Sequence, residues 1–267
     1  MASTRPVDMV RVSSGVRTPA RDRTAAEEPL AIRVGGEPFA VIMRTPGADR
    51  ELAAGFLFAD RLIRRSTDLR AIEHCADAAE RENVVEVTLA DPAAMSCARA
   101  RRRELTSAAS CGVCGRQSID DLASDLSPLA DAIVVPAATI ARLPGRLRAS
   151  QRAFDETGGL HAAGLLSLDG DLLDIAEDVG RHSAVDKVIG RALLHDRVPL
   201  SHAMLCVSGR TSFEIVQKAA VAGVPILAAV SAPSSLAVDL AERSGITLIG
   251  FIRGDSFNVY TGAQRIA

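Results

Sequence analysis

Ala203-Met-Leu-Cys-Val207, Ser208-Gly-Arg-Thr-Ser-Phe-Glu214, Ile215 to Ala222 and Val224-Pro-Ile-Leu-Ala-Ala-Val230 form the stretch that decides the fold class. A short apolar run closed by Ser-Gly reads as a buried strand. Thr211 to Glu214 has the Thr-x-x-Glu form of a capping box and predicts a helix through Ala222. Val224 to Val230 predicts the next strand. The alternation continues with a helix over Ser234 to Arg243, a strand over Ile246 to Phe251 and a last strand over Phe257 to Tyr260. Upstream, His161 to Leu168 and Leu172 to Ala176 flank Asp169-Gly170 and predict a hairpin. Val185, Val188, Ile189, Ala192 and Leu193 share one face of a helix. Ala141 to Phe154 also reads as mostly helical. Strands alternating with helices predict an α/β fold whose central sheet, largely parallel, carries helices on its faces.

N-terminal to that domain the pattern differs. Leu30 to Val34 and Phe39 to Met43 flank Gly35-Gly36 as a second hairpin. Asp49 is placed to cap a helix with Leu52, Phe56 and Ile63 at helical spacing, and Asn83 to Leu89 reads as a strand. Residues 1–28, with scattered charge and no sustained period, are expected to be a flexible tail. The division expected is therefore a tail over 1–28, a smaller N-terminal β-containing region over 29–118 that ends in a mobile cysteine-bearing loop, and the α/β domain over 119–267.

The chain has 267 residues and a formal net charge of −2, so it carries no global basic field of the kind that marks a nucleic-acid binder. No apolar run approaches the ~18 residues of a membrane span, and Met1 to Glu28 lacks the apolar core of a signal peptide. A reducing cytoplasm is the expected setting. The five cysteines (Cys75, Cys97, Cys111, Cys114 and Cys206) are then expected to be free or chemically active rather than disulfide-bonded. Cys206, inside a strand, reads as core.

Ser110-Cys111-Gly112-Val113-Cys114-Gly115 is the most reactive-looking stretch. Glycine follows each thiol, no apolar period covers them, and Arg101, Arg102 and Arg103 precede them. Cations favour the nucleophilic thiolate. Structural zinc needs four ligands, and only one cysteine pair is present, so no metal is expected. A thioredoxin-type pair opens a helix directly after a strand, whereas the expected helix begins only after Gly115. A zinc deaminase needs H-x-E and P-C-x-x-C, which are absent. A redox pair, a metal clip and a sulfur carrier remain the readings of the residues themselves.

Three polar junctions follow strands of the expected sheet: Ser208-Gly-Arg-Thr-Ser212, Ser231-Ala-Pro-Ser-Ser235 and Phe251-Ile-Arg-Gly-Asp-Ser256. Backbone N–H groups, hydroxyls and arginines at one sheet end suit a nucleotide or another phosphorylated ligand, although no Walker motif is present. Glu177-Asp-Val-Gly-Arg-His182 through Asp186-Lys187 forms a fourth polar junction. There Asp178 can serve as an N-cap and His182 can pair locally with Asp186. His161, after Thr157-Gly-Gly, reads more simply as a satisfied histidine at a strand start.

Together these motifs, with Thr157-Gly-Gly-Leu-His-Ala-Ala163 and the Phe251 to Tyr260 end, resemble the FdhD family of formate dehydrogenase accessory sulfurtransferases from about residue 28 onward. Ser183 stands where many members have Asn. The resemblance implies a cytidine-deaminase-like mixed sheet and a homodimer. It also implies an activity: persulfide sulfur is accepted from a cysteine desulfurase and passed to the molybdenum or tungsten bis-molybdopterin guanine dinucleotide cofactor, before insertion into formate dehydrogenase. It assigns the persulfide to Cys111 with Cys114 as companion, and cofactor binding to Phe251, Ile252, Arg253, Gly254, Asp255 and Ser256. Ser208, Gly209, Arg210 and His182 join that site as expected phosphate-side contacts. Two other classes remain in view: a non-catalytic cofactor-binding chaperone and a thiol–disulfide oxidoreductase.

Overall fold

A computed structural model describes residues 2–76, 82–91, 93–94, 128–129 and 133–267. The expected boundary near residue 118 and the expected mobile loop, with Cys97, Cys111 and Cys114, lie outside the described residues.

The C-terminal part is built on a six-stranded sheet of order β12-β11-β10-β9-β7-β8. Its strands are β7 (His161–Ser167), β8 (Leu172–Asp178), β9 (Ala203–Val207), β10 (Ile226–Ala229), β11 (Thr247–Arg253) and β12 (Ser256–Thr261). β9, β10 and β11 are parallel, while β7 and β12 run against their neighbours, so the sheet is mixed. Side chains alternate between two apolar layers, as strand geometry requires. Met204, Cys206, Ile226, Ala228 and Ile249 face α2 (Ala137–Arg148), with its Ile140, Leu143 and Leu147. Leu205, Val207, Leu227 and Leu248 face α4 (Arg181–Leu194), α5 (Phe213–Val221) and α6 (Ser235–Arg243). Cys206 is fully buried, and burial pushes its thiol up to about 12, consistent with a packing residue.

A four-stranded sheet of order β4-β3-β6-β5 forms the N-terminal part: β3 (Glu28–Val34), β4 (Glu37–Arg44), β5 (Leu69–His74) and β6 (Val84–Leu89). Its inner residues Leu30, Ile32 and Val34 pack on α1 (Asp49–Ala59), and α1 in turn packs on α4, so one apolar core runs through both parts. Glycine allows the crossing. A Cβ on Gly55 would stand 2.0 Å from the Asp186 carbonyl oxygen, and one on Gly190 would stand 1.9 Å from that of Glu51.

Three local expectations are corrected. Residues 1–28 are not a structureless tail: β1 (Thr4–Ser13) and β2 (Val16–Ala25) pair in register as an exposed antiparallel ribbon. Ser14 and Gly15, at φ 50° and 80°, turn the chain as a two-residue hairpin loop demands. Asp49 is the first helical residue of α1 rather than its cap, because its carboxylate is bound by Arg44 at 3.0 and 3.1 Å. The helix expected over 141–154 is two helices, α2 starting directly after Pro136 and α3 (Arg152–Thr157), with a break at 149–151.

Candidate functional site at the strand ends

The C-terminal ends of β8, β9, β10 and β11 lie along one edge of the large sheet, and the helices α4, α5 and α6 start there. The loops are laced together. Thr211 N–H donates to the Ala232 carbonyl, Ser234 N–H donates to that of Thr211, and Phe251 N–H donates to that of Ser231. The sequence motifs thus meet in space, but their side chains divide into those that hold the fold and those that remain available.

Several motif residues are structural. Glu177 accepts from the N–H groups of Ala153 and Phe154 at 3.0 and 2.8 Å, capping α3. Asp178 lies 2.7 Å from Lys187 Nζ and accepts from Thr45 N–H, rather than capping α4. Burial raises the Asp178 carboxyl above its ordinary range, against the pull of Lys187. Ser208 Oγ accepts from Ala162 N–H at 2.9 Å and so extends the β7–β9 pairing. Ile252 is 2% exposed within the α2-facing layer, so its side chain is a core group. The expected local pair of His182 with Asp186 does not form. Asp186 instead receives Lys218 Nζ at 2.8 and 3.0 Å. Burial pushes Asp186 up to about 7, with Lys218 opposing it. Burial also works to lower Lys218, but Asp186 and Glu214 outweigh it and hold it above its ordinary value.

His182 reaches across to the next helix. Its Nε2 is 3.0 Å from Ser212 Oγ and 3.5 Å from Glu214. Both partners meet the same ring nitrogen, so the trio is not a hydrolytic triad, in which the base and its orienting acid use opposite nitrogens. Burial lowers His182 to about 4, aided by Lys218, Arg181 and His161 and opposed by Glu214, so the imidazole is neutral at neutral pH. His161 is lowered as well, first by burial and then by Arg181. Ser212 is the N-cap of α5, yet its hydroxyl caps no backbone N–H; the capping box read from Thr211 and Glu214 does not form. Gly180, the N-cap of α4, has no side chain to offer. Ser234, by contrast, caps α6 through Ala237 N–H. Two of the three helix starts along this edge therefore lack a side-chain cap.

At the far end stands the β11–β12 hairpin, with Gly254 at φ 56° and Asp255 and Ser256 exposed. Phe251 occupies the left-handed region at φ 54°, which is unusual for a bulky residue, and is 37% exposed. The Arg253 guanidinium lies 5.9 Å from that ring. Arg210 and Arg253 are exposed. A partly exposed aromatic held in a strained conformation, with an exposed arginine over its ring, suits a nucleobase and its phosphates. Arg181 and His161 also stand at this edge. The signal available for both was adjacency to glycine turns at strand ends.

The FdhD/NarQ family model matches residues 25–267. The chain belongs to the FdhD/NarQ family. It is 50% identical over 266 residues to a sulfur carrier protein FdhD from Streptomyces coelicolor, covering 97% of this chain and 94% of that one. It is 53% identical over 246 residues to one from Mycolicibacterium paratuberculosis, covering 90% of each. A solved structure of a formate dehydrogenase accessory protein from Desulfotalea psychrophila superposes with a TM-score of 0.79 at 27% identity, covering all of both chains. Among the described residues no group of His, Cys, Asp or Glu is placed to hold a metal ion, and no helix is long and apolar enough to cross a membrane.

Proposed function

We propose that this protein is a sulfur carrier that serves formate dehydrogenase. Cys111, as thiolate, attacks the terminal sulfur of a persulfide on a cysteine desulfurase. The donor's S–S bond breaks, its thiolate leaves, and Cys111 holds the new persulfide, with Cys114 as companion. The sulfur then goes to the molybdenum bis-molybdopterin guanine dinucleotide cofactor, which is the substrate here, before that cofactor enters the dehydrogenase. The protein works as a homodimer in the cytoplasm. Phe251, Arg253, Gly254, Asp255 and Ser256, with Gly209 and Arg210, contact the cofactor's nucleotide portion.

Half-identity over nearly the whole chain to proteins named sulfur carriers is the observation that carries this reading. The strand-end geometry supports its recipient half, since an exposed aromatic in the left-handed region and exposed arginines suit a nucleotide. Mass spectrometry after incubation with a cysteine desulfurase and cysteine tests it. The Cys111 peptide is expected to gain one sulfur atom, and Cys111→Ala is expected to gain none while still binding GDP. An unmodified wild-type peptide, or full formate dehydrogenase activity in a strain carrying only Cys111→Ala, refutes it.

A further inference from the structure

We propose that the adjoining N-termini of α4 and α5 form a second seat on this edge, for a phosphate group of the nucleotide ligand, held by Arg181 with His161, His182 and Ser212. The proposal rests on the reading above that a nucleotide-bearing ligand binds at the strand ends.

Arg181 supplies the first argument. Its Nε is buried and has no acceptor among the described residues. A buried donor without a partner costs on the order of 1–3 kcal/mol, and more when charged, so a fold tolerates one where a ligand completes it. The Thr211 hydroxyl, in a residue 1% exposed and next to the α5 N-cap, is likewise unpartnered. Position is fixed by Gly209. A Cβ there would stand 3.2 Å from His161 Nδ1 and 3.6 Å from Arg181 Cδ. Glycine thus lets the β9–α5 loop close against both side chains and bring them to the α5 start.

The helix starts supply the second argument. His182, from the first turn of α4, meets Ser212 at the N-cap of α5, so the two helix ends adjoin. Neither has a side-chain cap, which leaves first-turn N–H groups and both helix dipoles facing one place. Neutral imidazoles there donate or accept without adding a charge. Two carboxylates approach, and each is offset. Glu214, 3.5 Å from His182 Nε2, also lies 3.5 Å from Lys218 Nζ, and Asp178 is paired with Lys187. Helix N–H groups with a guanidinium fork are a phosphate-binding set.

Spacing separates this seat from the hairpin. β9 and β8 stand two and four strands from β11, which is about 10 and 19 Å at a strand spacing of about 4.8 Å. One extended nucleotide ligand can span that distance; one phosphate cannot occupy both places.

Calorimetric titration of the full-length protein with inorganic pyrophosphate at low salt tests the seat. Wild type is expected to bind. Arg181→Gln is expected to weaken binding about 10- to 100-fold, as loss of a charge-assisted hydrogen bond does. Arg181→Lys, which keeps the charge but not the fork, is expected to fall between the two. Arg253→Gln is expected to leave pyrophosphate binding within about twofold, because that side chain lies outside the seat. GDP is expected to displace pyrophosphate and guanosine is not. No pyrophosphate binding by wild type, or loss in Arg253→Gln with retention in Arg181→Gln, overturns the seat. Pyrophosphate that GDP cannot displace overturns the nucleotide assignment. The sulfur-carrier reading fails separately: sulfur uptake on Cys111 without pyrophosphate binding defeats only the seat, and Arg181-dependent pyrophosphate binding without sulfur uptake defeats only the carrier.

Discussion

Phe251 and His182 show how single residues at the strand ends hold unfavourable states. A bulky L-residue in the left-handed region costs about 1–2 kcal/mol, and Phe251 sits there with more than a third of its surface exposed. Phe251→Gly removes the strain and adds the backbone freedom of glycine, terms of similar size. With the covered part of the ring lost as well, urea unfolding is expected to place the variant within about 2 kcal/mol of wild type. GDP titration is expected to show affinity reduced about 10- to 100-fold, the usual worth of base–aromatic stacking. Undiminished GDP affinity would remove the ring from the site. His182 makes a pH prediction. Its folded value of about 4 lies below the ordinary 6.5, so between those values the unfolded chain binds the extra proton. Its contribution is complete above about pH 6.5 and is lost as pH falls toward 4, an effect of about 3 kcal/mol for this largely buried ring. Asp186, raised from 3.8 to about 7, has the opposite slope across that whole range, so wild type alone hides the effect. The stability difference between wild type and His182→Gln isolates it. Urea midpoints measured from about pH 7 down to pH 4 are expected to show wild type losing about 3 kcal/mol relative to the variant. A pH-independent difference would mean that His182 titrates normally.

At the scale of elements, glycine decides which helices can meet. α1 and α4 cross so closely that a methyl group on Gly55 or Gly190 would overlap a backbone carbonyl oxygen. Either Gly→Ala change must push the helices apart and is expected to cost about 3 kcal/mol or more. Gly145, exposed in the middle of α2, has the opposite environment: among the described residues outside its own helix backbone, a Cβ there would meet nothing within 4 Å. Gly145→Ala is expected to gain about 0.5–1 kcal/mol from helix propensity alone. Thermal melts of Gly55→Ala and Gly145→Ala, moving in opposite directions, check the pair. Elements were legible in the sequence where burial imposes a pattern: β9 through β11 are apolar runs because both faces are covered. The β1–β2 ribbon was not, since both of its faces are largely exposed and no burial pattern arises. Pro6 and Pro19 also argued against strands, yet they are tolerated where every strand is an edge. The site was legible as places and illegible as partnerships. Gly, Ser and Arg after apolar runs marked the strand ends. That His182 would meet Ser212, thirty positions away, and that Ser208 would spend its hydroxyl on β7, depend on strand order, which local sequence does not carry.

For the molecule as a whole, the N-terminal sheet and the large sheet are joined by a buried charge as well as by the glycine crossing. Lys187, on α4, is 3% exposed, lies 2.7 Å from Asp178 at the end of β8, and donates at 2.7 Å to the carbonyl of Thr45, just after β4. Thr45 N–H donates to the same carboxylate, and its hydroxyl accepts from Val179 N–H at 3.1 Å. One ammonium and one carboxylate from the large-sheet part thus satisfy the backbone of the loop between β4 and α1, at the foot of α4 where the proposed site begins. Removing one partner of such a pair leaves the other charged and buried, which costs about 3–5 kcal/mol, whereas removing both charges can be close to neutral. Lys187→Met is therefore expected to lose about 3–5 kcal/mol in urea unfolding, and Lys187→Met with Asp178→Asn to recover most of it. If the double variant is as unstable as the single one, the lysine acts through its hydrogen bond to Thr45 rather than through the ion pair.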